Sequence, residues 1–253
     1  MVKKIFVSLI LVFVLLPISY VAAAEEMFIP SGKTFITFNW DLSLKGNGFF
    51  SKASIIDPDP QEKLDGEPGL GFYSYNNFFL KSGYMFTNDL GSYINVGLSE
   101  RAFELSYTNF SVTPSLEYVK YFYQQYYHLE AGCRINGQYG IYIDFGAYYG
   151  IMKGNMTTSV KDSSDASIWP QAKKGDFTVK EDSNTKINND FGITAAIGTL
   201  IPIVENSIYF DASLRFINGL YPALKHDGNT SGDSEYKLYN TSLGLVLGIT
   251  ATF

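Results

Sequence analysis

The last eighteen residues of the chain, Tyr236 to Phe253, alternate between two kinds of side chain. Every second residue, counted back from Phe253, is apolar or aromatic over most of the stretch, and the residues between, from Thr252 back to Asn240, are small or polar except Val246. A period of two predicts a β-strand whose faces have different surroundings. A water-exposed face in a soluble sheet would carry Lys and Glu. The pattern therefore favours a strand whose apolar face contacts lipid and whose other face lines a narrow, packed interior. The outward residues are Tyr239, Leu243, Leu245, Leu247, Ile249, Ala251 and Phe253.

The first 24 residues predict a cleaved signal peptide. Lys3 and Lys4 form a positive segment, residues 5–16 form an apolar core that stops at Pro17, and residues 22–24 offer a small-residue cleavage site. An uncleaved membrane anchor is the alternative, because residues 5–24 are almost long enough to span a bilayer. We therefore expect a signal peptide over residues 1–24 and one exported domain over residues 25–253.

The composition argues against several classes of function. The chain has 19 Lys and Arg against 25 Asp and Glu, and a net charge of −6. This acidity argues against nucleic-acid binding and against a polybasic contact with anionic lipid. Cys133 is the only cysteine, so neither a disulfide framework nor a metal cluster is expected. No apolar run after residue 24 approaches the length of a spanning helix, so a membrane crossing has to use strands.

The same alternation recurs along the chain, between clusters of Gly, Asn, Asp and Pro that mark turns. It predicts eight strands, and the connections between them alternate between short turns and longer polar segments. This asymmetry is typical of an up-and-down transmembrane β-barrel. The predicted strands are Lys33–Leu44, Gly71–Phe86, Ser92–Tyr107, Leu116–Ile135, Tyr139–Ile151, Phe191–Ile201, Ile208–Leu220 and Tyr236–Phe253. The predicted connections are Lys45–Gly69, Asn88–Gly91, Asn109–Pro114, Asn136–Gly137, Met152–Asn189, Pro202–Asn206 and Pro222–Glu235.

Three details of this pattern bear on the fold. A change of phase near Glu100 and Arg101 predicts a β-bulge in the third strand. The dipeptide Asn136-Gly137 predicts a two-residue hairpin. An extra hairpin within residues 176–189 would give ten strands instead of eight. In either case the last strand has to pair with the first to remove both edges of the sheet.

The last third of the chain also carries several short motifs. They are Asp190–Ile193 with Gly198, Tyr209–Ala212, Arg215–Phe216, Gly219–Leu220, Tyr239–Thr241 and Phe253, with a looser one at Leu129–Gly132. Through them the chain resembles the outer-membrane β-barrel domain of the PorT-like family, which are small barrels with an OmpA-like fold. The strand that ends on Phe253 resembles the terminal sorting signal of bacterial outer-membrane β-barrels. These resemblances imply a barrel in the outer membrane of a diderm bacterium, inserted by the barrel-assembly machinery, and leave its activity open.

The interior positions of the predicted strands collect charged side chains of both signs. Buried charges are costly unless they are paired, and the side chains of an eight-stranded barrel fill its lumen. We therefore expect a network of ion pairs that plugs the lumen, with a narrow, gated ion path as the alternative. A wide pore would need about sixteen strands. The predicted network consists of Asp41, Lys81, Lys120, His128, Glu130, Arg134, Asp144, Asp211 and Arg215.

Catalytic and metal-binding alternatives have weaker support. Hydrolases need an activated nucleophile or water, usually beside a histidine, and His128 is expected to be a satisfied lumen residue. One group of loop residues could resemble an external His/Asp/Ser catalytic site, and it consists of His226, Asp227, Ser231 and Asp233. The acidic stretch of residues 57–67 could hold Ca²⁺ or Mg²⁺ weakly, but it lacks EF-hand spacing. No catalytic residue, metal or cofactor is therefore expected.

The sequence thus predicts an all-β, eight-stranded antiparallel outer-membrane β-barrel, monomeric or weakly associating, with a filled lumen. Its expected role is structural or in surface interaction, through the loops Lys45–Gly69, Met152–Asn189 and Pro222–Glu235. A small channel or porin-like transporter is the alternative, and a lipid-modifying enzyme is the third. The expected partners are outer-membrane lipid, the barrel-assembly machinery and an extracellular or envelope protein.

Overall fold

The structure is a computed structural model that describes residues 29–47, 52–55, 62–63, 77–109, 116–163, 175–228 and 234–253. These residues form fourteen strands. In chain order the strands are β1 (Thr34–Asn47), β2 (Lys52–Ile55), β3 (Glu62–Lys63), β4 (Asn77–Met85), β5 (Leu90–Asn109), β6 (Leu116–Asn136), β7 (Ile141–Ser163), β8 (Gly175–Thr178), β9 (Thr185–Ile187), β10 (Asp190–Val204), β11 (Ile208–Gly219), β12 (Leu224–His226), β13 (Ser234–Leu238) and β14 (Asn240–Thr252). In the part of the chain so described, no helix is long and apolar enough to cross a membrane.

Eight of these strands form a closed antiparallel ring. The order around the ring is β1, β4, β5, β6, β7, β10, β11 and β14, and β14 pairs with β1 to close it. The closing register places Phe35 opposite Thr252 and Trp40 opposite Leu247. The predictions of an eight-stranded all-β barrel, and of closure between the first and last strands, are therefore confirmed. The ten-strand alternative is wrong, because β8 pairs with β7 beyond the ring and β9 pairs with β12.

The strand register winds around this ring. Paired residues lead from Lys45 on β1 through β14, β11, β10, β7, β6, β5 and β4, and return to β1 at Phe35, a shift of ten residues. Such a shift requires the strands to tilt, by about 40° in barrels of this kind. With eight strands the interior is just wide enough to be filled by side chains.

Polar side chains face the interior of the ring and apolar side chains face its exterior. On β1, Thr37, Asn39 and Asp41 are at most 4% exposed, whereas Phe38 between them is 57% exposed. Buried polar and charged residues outnumber buried apolar ones among the side chains that the structure describes. This distribution is the reverse of that in a water-soluble domain.

An apolar belt covers the exterior of the ring. It runs from Leu90 to Leu98 on β5 and from Ile141 to Ile151 on β7. One row of paired, exposed residues at its edge is Trp40, Phe78, Leu98, Tyr127 and Ile151. Two positions further along these strands the outward residues are Glu100, Gln125 and Lys153, which are also paired in register. The belt therefore ends sharply at a polar row.

The connections divide the ring into a turn end and a loop end. The turn end carries the short connections at residues 86–89, 137–140 and 205–207, together with Lys33 and Phe253. The predicted two-residue hairpin at Asn136-Gly137 is wrong in detail, because a 3-10 turn over Gln138–Gly140 also belongs to this connection and Tyr139 adopts a φ of 60°. The long connections lie at the opposite end.

The loop end carries a second, four-stranded sheet, which we call the cap sheet. Its order is β2, β13, β12 and β9, so it combines parts of three predicted loops. The prediction that Met152–Asn189 is a loop is wrong, because β7 continues to Ser163 and β8 and β9 follow it. The predicted loops Lys45–Gly69 and Pro222–Glu235 likewise contain strands. Pairing between distant segments stabilises these short polar strands, and no local apolar pattern predicts them.

Two further predictions need correction. The β-bulge near Glu100 and Arg101 is absent, since β5 pairs with β6 without a shift from Leu90 to Asn109. The irregularities of register occur instead between β6 and β7 and between β10 and β11. Within the predicted second strand, Gly71–Phe86, the structure has β4 over Asn77–Met85, and residues 71–76 lie outside the described part. The change of phase in the sequence of β5 has a different cause, which is that the surroundings change under the cap sheet. There Phe122, the partner of Phe103 on β6, is buried in an apolar cluster.

Candidate functional site

Glu130, on β6, is the centre of the polar interior. Its Oε1 accepts hydrogen bonds from the hydroxyls of Tyr93 and Thr194, both at 2.8 Å. Its Oε2 accepts from Asn95 Nδ2 at 3.1 Å and from Arg215 Nη2, and lies 3.1 Å from His128 Nε2. Four strands of the ring thus converge on one buried carboxylate.

A second cluster surrounds Asp144 on β7, nearer the turn end. Arg134 Nε and Nη2 donate to the two carboxylate oxygens, each at 2.8 Å. Lys81 Nζ donates to Oδ2 at 2.7 Å. The Arg134 guanidinium also lies 3.7 Å from the ring centroid of Tyr142 and 4.7 Å from that of Phe35. A bidentate arginine pair with aromatic rings beside it is among the stronger ways to hold a buried charge.

A third cluster lies towards the loop end of the lumen. Asp190 Oδ2 accepts from the hydroxyl of Tyr148 at 2.9 Å and lies 3.8 Å from Arg101 Nε. The ring of His128 stacks on Tyr148, with centroids 5.0 Å apart and planes 17° apart. Tyr148 therefore links this cluster to the Glu130 centre.

Interior aromatic rings occupy space that glycines leave on neighbouring strands. A Cβ added at Gly146 would lie 2.8 Å from the Tyr93 hydroxyl, and one at Gly198 would lie 2.5 Å from the Tyr142 ring. The packing leaves a lumen cavity of about 10 Å³ among Lys81, Glu130 and Arg215. That volume is about what a single water molecule needs.

The structure places most of the predicted interior charges in these clusters. Lys81 and Arg134 both contact Asp144, and Glu130 contacts His128 and Arg215. The remaining described members are Asp41, whose carboxylate is 3.6 Å from Arg215 Nη1, and Asp211, which accepts from the hydroxyls of Tyr142 and Thr250. Lys120 lies in β6 opposite Leu105 and Val160, and its side chain is outside the described part.

Sequence reasoning missed Arg101 and Asp190, which are both 1% exposed. Arg101 has the same phase as Tyr93 and Asn95 on β5, so simple alternation would have placed it inside. Asp190 lies two residues before Gly192, in the interior phase of β10. The assumed bulge hid the first residue, and the second lies just before the predicted strand Phe191–Ile201 and was left out of its interior set.

The outward residues predicted for the last strand have different exposures. Leu243, Ile249 and Phe253 are exposed, and Leu245 is only 7% exposed. Tyr239, Leu247 and Ala251 are half-buried. Thr34 and Phe253 exchange two backbone hydrogen bonds, of 3.2 and 2.9 Å, and thereby seal the ring at its turn end.

The cap sheet has an apolar face and a charged face. Its inner face contributes Leu224, Tyr236 and Leu238 to a buried cluster with Phe122 and Met156. On the outer face Lys186, Lys225 and Lys237 form one row of paired residues, and the backbone register continues this row to Lys52.

Two carboxylates lie beside this lysine row. Lys225 Nζ donates to Asp227 Oδ2 at 2.7 Å, and Lys237 Nζ lies 3.8 Å from Glu235 Oε1. The hydrogen bond from Lys225 lowers the pKa of Asp227, with help from Lys237 and Lys186, and the same bond raises the pKa of Lys225. The side chain of Lys52 lies outside the described part.

The external grouping around His226 is only partly described. His226 Nδ1 lies 2.8 Å from the Thr185 hydroxyl, and its ring stacks on Tyr236 at 5.0 Å. These contacts place His226 in the inner face of the cap sheet. Ser231 and Asp233 lie outside the described residues, as does most of the acidic stretch 57–67. In the described ranges no group of three or more His, Cys, Asp or Glu could hold a metal ion.

Comparisons with known proteins give a likeness of architecture. No protein-family model matches the chain, and no curated protein matches it. Similar solved structures include Ail of Yersinia pestis, with 13% identity, a TM-score of 0.37, and coverage of 88% of this chain and 99% of that chain. The outer membrane protein OprG of Pseudomonas aeruginosa has 12% identity, a TM-score of 0.38, and coverage of 90% and 99%. Neisserial surface protein A has 16% identity, a TM-score of 0.31, and coverage of 88% and 98%.

Membership of the PorT-like family is not confirmed by these comparisons. The description of the chain as a closed eight-stranded β-barrel rests on its own strand register.

Proposed function

We propose that this protein is an outer-membrane β-barrel whose lumen is plugged by its own side chains and whose cap sheet is a surface for interaction outside the cell. One observation carries this proposal. Among the described residues, the cavity between Lys81, Glu130 and Arg215 in the lumen has a volume of only about 10 Å³, while the long connections build an ordered sheet at one end. Such a molecule has no room to conduct and has a folded surface with which to bind.

The apolar belt supports the membrane location. Soluble monomers rarely expose contiguous apolar patches of more than a few hundred Å², whereas large exposed residues surround this ring. A transmembrane β-strand needs about nine to eleven residues, which agrees with Leu90–Leu98 and Ile141–Ile151. By analogy with bacterial barrels the turn end would face the periplasm and the loop end the exterior.

Export and assembly complete this proposal. Residues 1–24 would act as a cleaved signal peptide, and the last strand, up to Phe253, would be read by the barrel-assembly machinery. Outer-membrane lipid would then contact the belt.

The membrane location and the closed lumen can be tested on one preparation of residues 25–253 refolded in detergent. A folded barrel migrates differently on gels before and after heating, so we expect a heat-dependent shift. In planar bilayers we expect no steady channels. The absence of a heat-dependent gel shift would contradict the proposed membrane barrel. Steady conductance from protein that shows the gel shift would contradict the plugged lumen and favour the channel alternative.

The lysine row indicates the chemistry of the partner. Like charges directly opposite one another destabilise a sheet, and Asp227 and Glu235 offset only part of this repulsion. An anionic partner would relieve the rest. We expect refolded protein to bind a sulfated dextran but not neutral dextran, and the triple substitution Lys186→Gln, Lys225→Gln and Lys237→Gln to abolish this binding.

Lys33→Gln, at the turn end, is the matched control and should leave dextran binding unchanged. Equal binding by the parent and the triple variant, with both showing the heat shift, would rule out the lysine row as the contact surface.

A further inference from the structure

The wall of the barrel is interrupted just beyond the apolar belt, between β6 and β7. Between the pairs Gln125–Lys153 and Tyr123–Thr157, the single residue Gln124 on β6 faces residues 154–156 on β7. Gly154 has a φ of 73°, a conformation that glycine adopts without steric cost. Gln124 Nε2 donates to the carbonyl oxygens of Gln125 at 2.8 Å and Lys153 at 3.2 Å. This side chain therefore fixes a wide bulge.

A cavity of about 360 Å³ lies at this bulge, within the range of small-molecule sites. It is lined on one side by the polar row that ends the belt, Glu100, Gln125 and Lys153. It is also lined by Arg101 and Gln124, which have the interior phase and are at most 2% exposed. The cavity therefore joins the rim of the belt to two buried polar side chains. Glu100 is already engaged, because its carboxylate accepts from Gln125 Nε2.

Arg101 differs from Arg134, another buried arginine with a carboxylate beside it. Arg134 uses its Nε and Nη2 edge to bind Asp144 at 2.8 Å through both atoms. The same edge of Arg101 has no hydrogen-bond partner in the described residues, and the Asp190 carboxylate lies 3.8 Å from Nε. Gln124 Oε1 also has no partner there. A buried guanidinium with an open edge is costly unless an oxyanion or water occupies it.

We propose that the bulge cavity, lined by Arg101, Gln124 and Lys153, binds a phosphate-type oxyanion. Arg101 lines the cavity, and a guanidinium has the fork geometry that matches two phosphate oxygens. Lys153 Nζ, at the rim and 5.8 Å from the Tyr127 ring centroid, supplies a second cation at the entrance.

The position of the cavity indicates where the phosphate comes from. The row Glu100, Gln125 and Lys153 follows directly on the last apolar row of the belt, which is the depth of lipid headgroups in a membrane. A phosphorylated lipid headgroup can therefore present its phosphate at the cavity, and a free phosphate compound is the second source. The lipid source rests on the proposed membrane location, whereas the oxyanion site itself does not.

The experiment uses refolded protein that shows the heat shift. Inorganic phosphate is titrated in detergent and followed by the amide NMR signals of Gly154 and Lys153. In a second arm, nanodiscs of phosphatidylcholine alone are compared with nanodiscs that contain phosphatidic acid. Lys153→Gln should weaken phosphate binding about tenfold, a loss of about 1.4 kcal/mol. Arg101→Gln should abolish it, and Lys33→Gln at the turn end is the matched control.

Arg101→Gln may be replaced by Gln124→Leu if it fails to fold, since Gln124 lines the same cavity. Shifts with inorganic phosphate that Lys153→Gln weakens support the site, and further shifts with phosphatidic acid assign it to lipid. No shift with either phosphate source, or shifts that all the cavity variants leave unchanged, would overturn the proposal. A protein without the heat shift would instead contradict the proposed membrane barrel.

Discussion

Glu130 and Phe122 lie on the same face of β6, eight positions apart, and both are buried. Glu130 is surrounded by five polar side chains, and its outward neighbour Leu129 is 52% exposed. Phe122 packs among apolar side chains such as Leu238, and two positions beyond the belt the outward residue is the polar Gln125. The same strand therefore buries polar side chains within the belt and apolar side chains beyond it.

The difference shows that the alternation of polar and apolar residues depends on the medium around the strand and not on the fold alone. Inside the belt the exterior is apolar, so the strands bury their polar residues and need partners for each of them. Beyond the row of Glu100, Gln125 and Lys153 the usual hydrophobic effect returns, and the loops bury their apolar residues under the cap sheet. The two regions should consequently fail in different ways.

Removal of a lumen charge should have the largest effect. Glu130→Ala leaves the buried guanidinium of Arg215 and two hydroxyl donors without their acceptor. Breaking a buried ion pair from one side costs about 3–5 kcal/mol, so we expect the free energy of unfolding to fall by about that amount. Urea titration followed by the heat-dependent gel shift measures it.

The double variant Glu130→Gln with Arg215→Met is the matched control, because it removes both charges and should recover part of the lost stability. A loss below about 1 kcal/mol in Glu130→Ala would show that the lumen tolerates removal of the carboxylate that Arg215 Nη2 binds, and would contradict the contrast between the two regions.

The sequence was sufficient for the ring because one environment persists along each strand within the belt. A period of two is then enough to assign Asp41, Glu130 and Arg215 to the interior, and the first and last strands to each other. The interior contacts themselves were not predictable, since the partners Glu130 and Arg215 are 85 positions apart.

The cap sheet could not be predicted from the same pattern. Its strands are three to five residues long, and β2 pairs with β13 across most of the chain. Runs such as Leu224–His226 contain one apolar residue, so no period is visible. Arg101 was missed for a related reason. Beyond the edge of the belt the surroundings of the strand change, and the sequence pattern there was interpreted as a β-bulge.

Truncation in the cap core should have a smaller, local effect. Leu238 is 1% exposed and packs in the cluster with Phe122 and Tyr236, so Leu238→Ala should destabilise the cap sheet by about 2–5 kcal/mol. We expect protease cleavage in the loops at lower urea concentrations, with the heat shift of the barrel unchanged. Leu243→Ala, at a belt position that is 39% exposed, is the control and should leave the cleavage pattern as it is.

The smallest expected effect is the response of the cap sheet to acid. The pKa of Asp227 lies below its usual value of 3.8 because Lys225 donates to it. A carboxylate with a lowered pKa contributes stability above that usual value and loses the contribution as the pH falls through its folded pKa. Hydrogen-exchange protection of Lys225 to Asp227 should therefore be constant from pH 6 to pH 5 and decrease below about pH 4, whereas amides near Glu130 in the lumen keep theirs. In Lys225→Met the decrease specific to this pair should vanish, and an unchanged decrease would show that another group causes it.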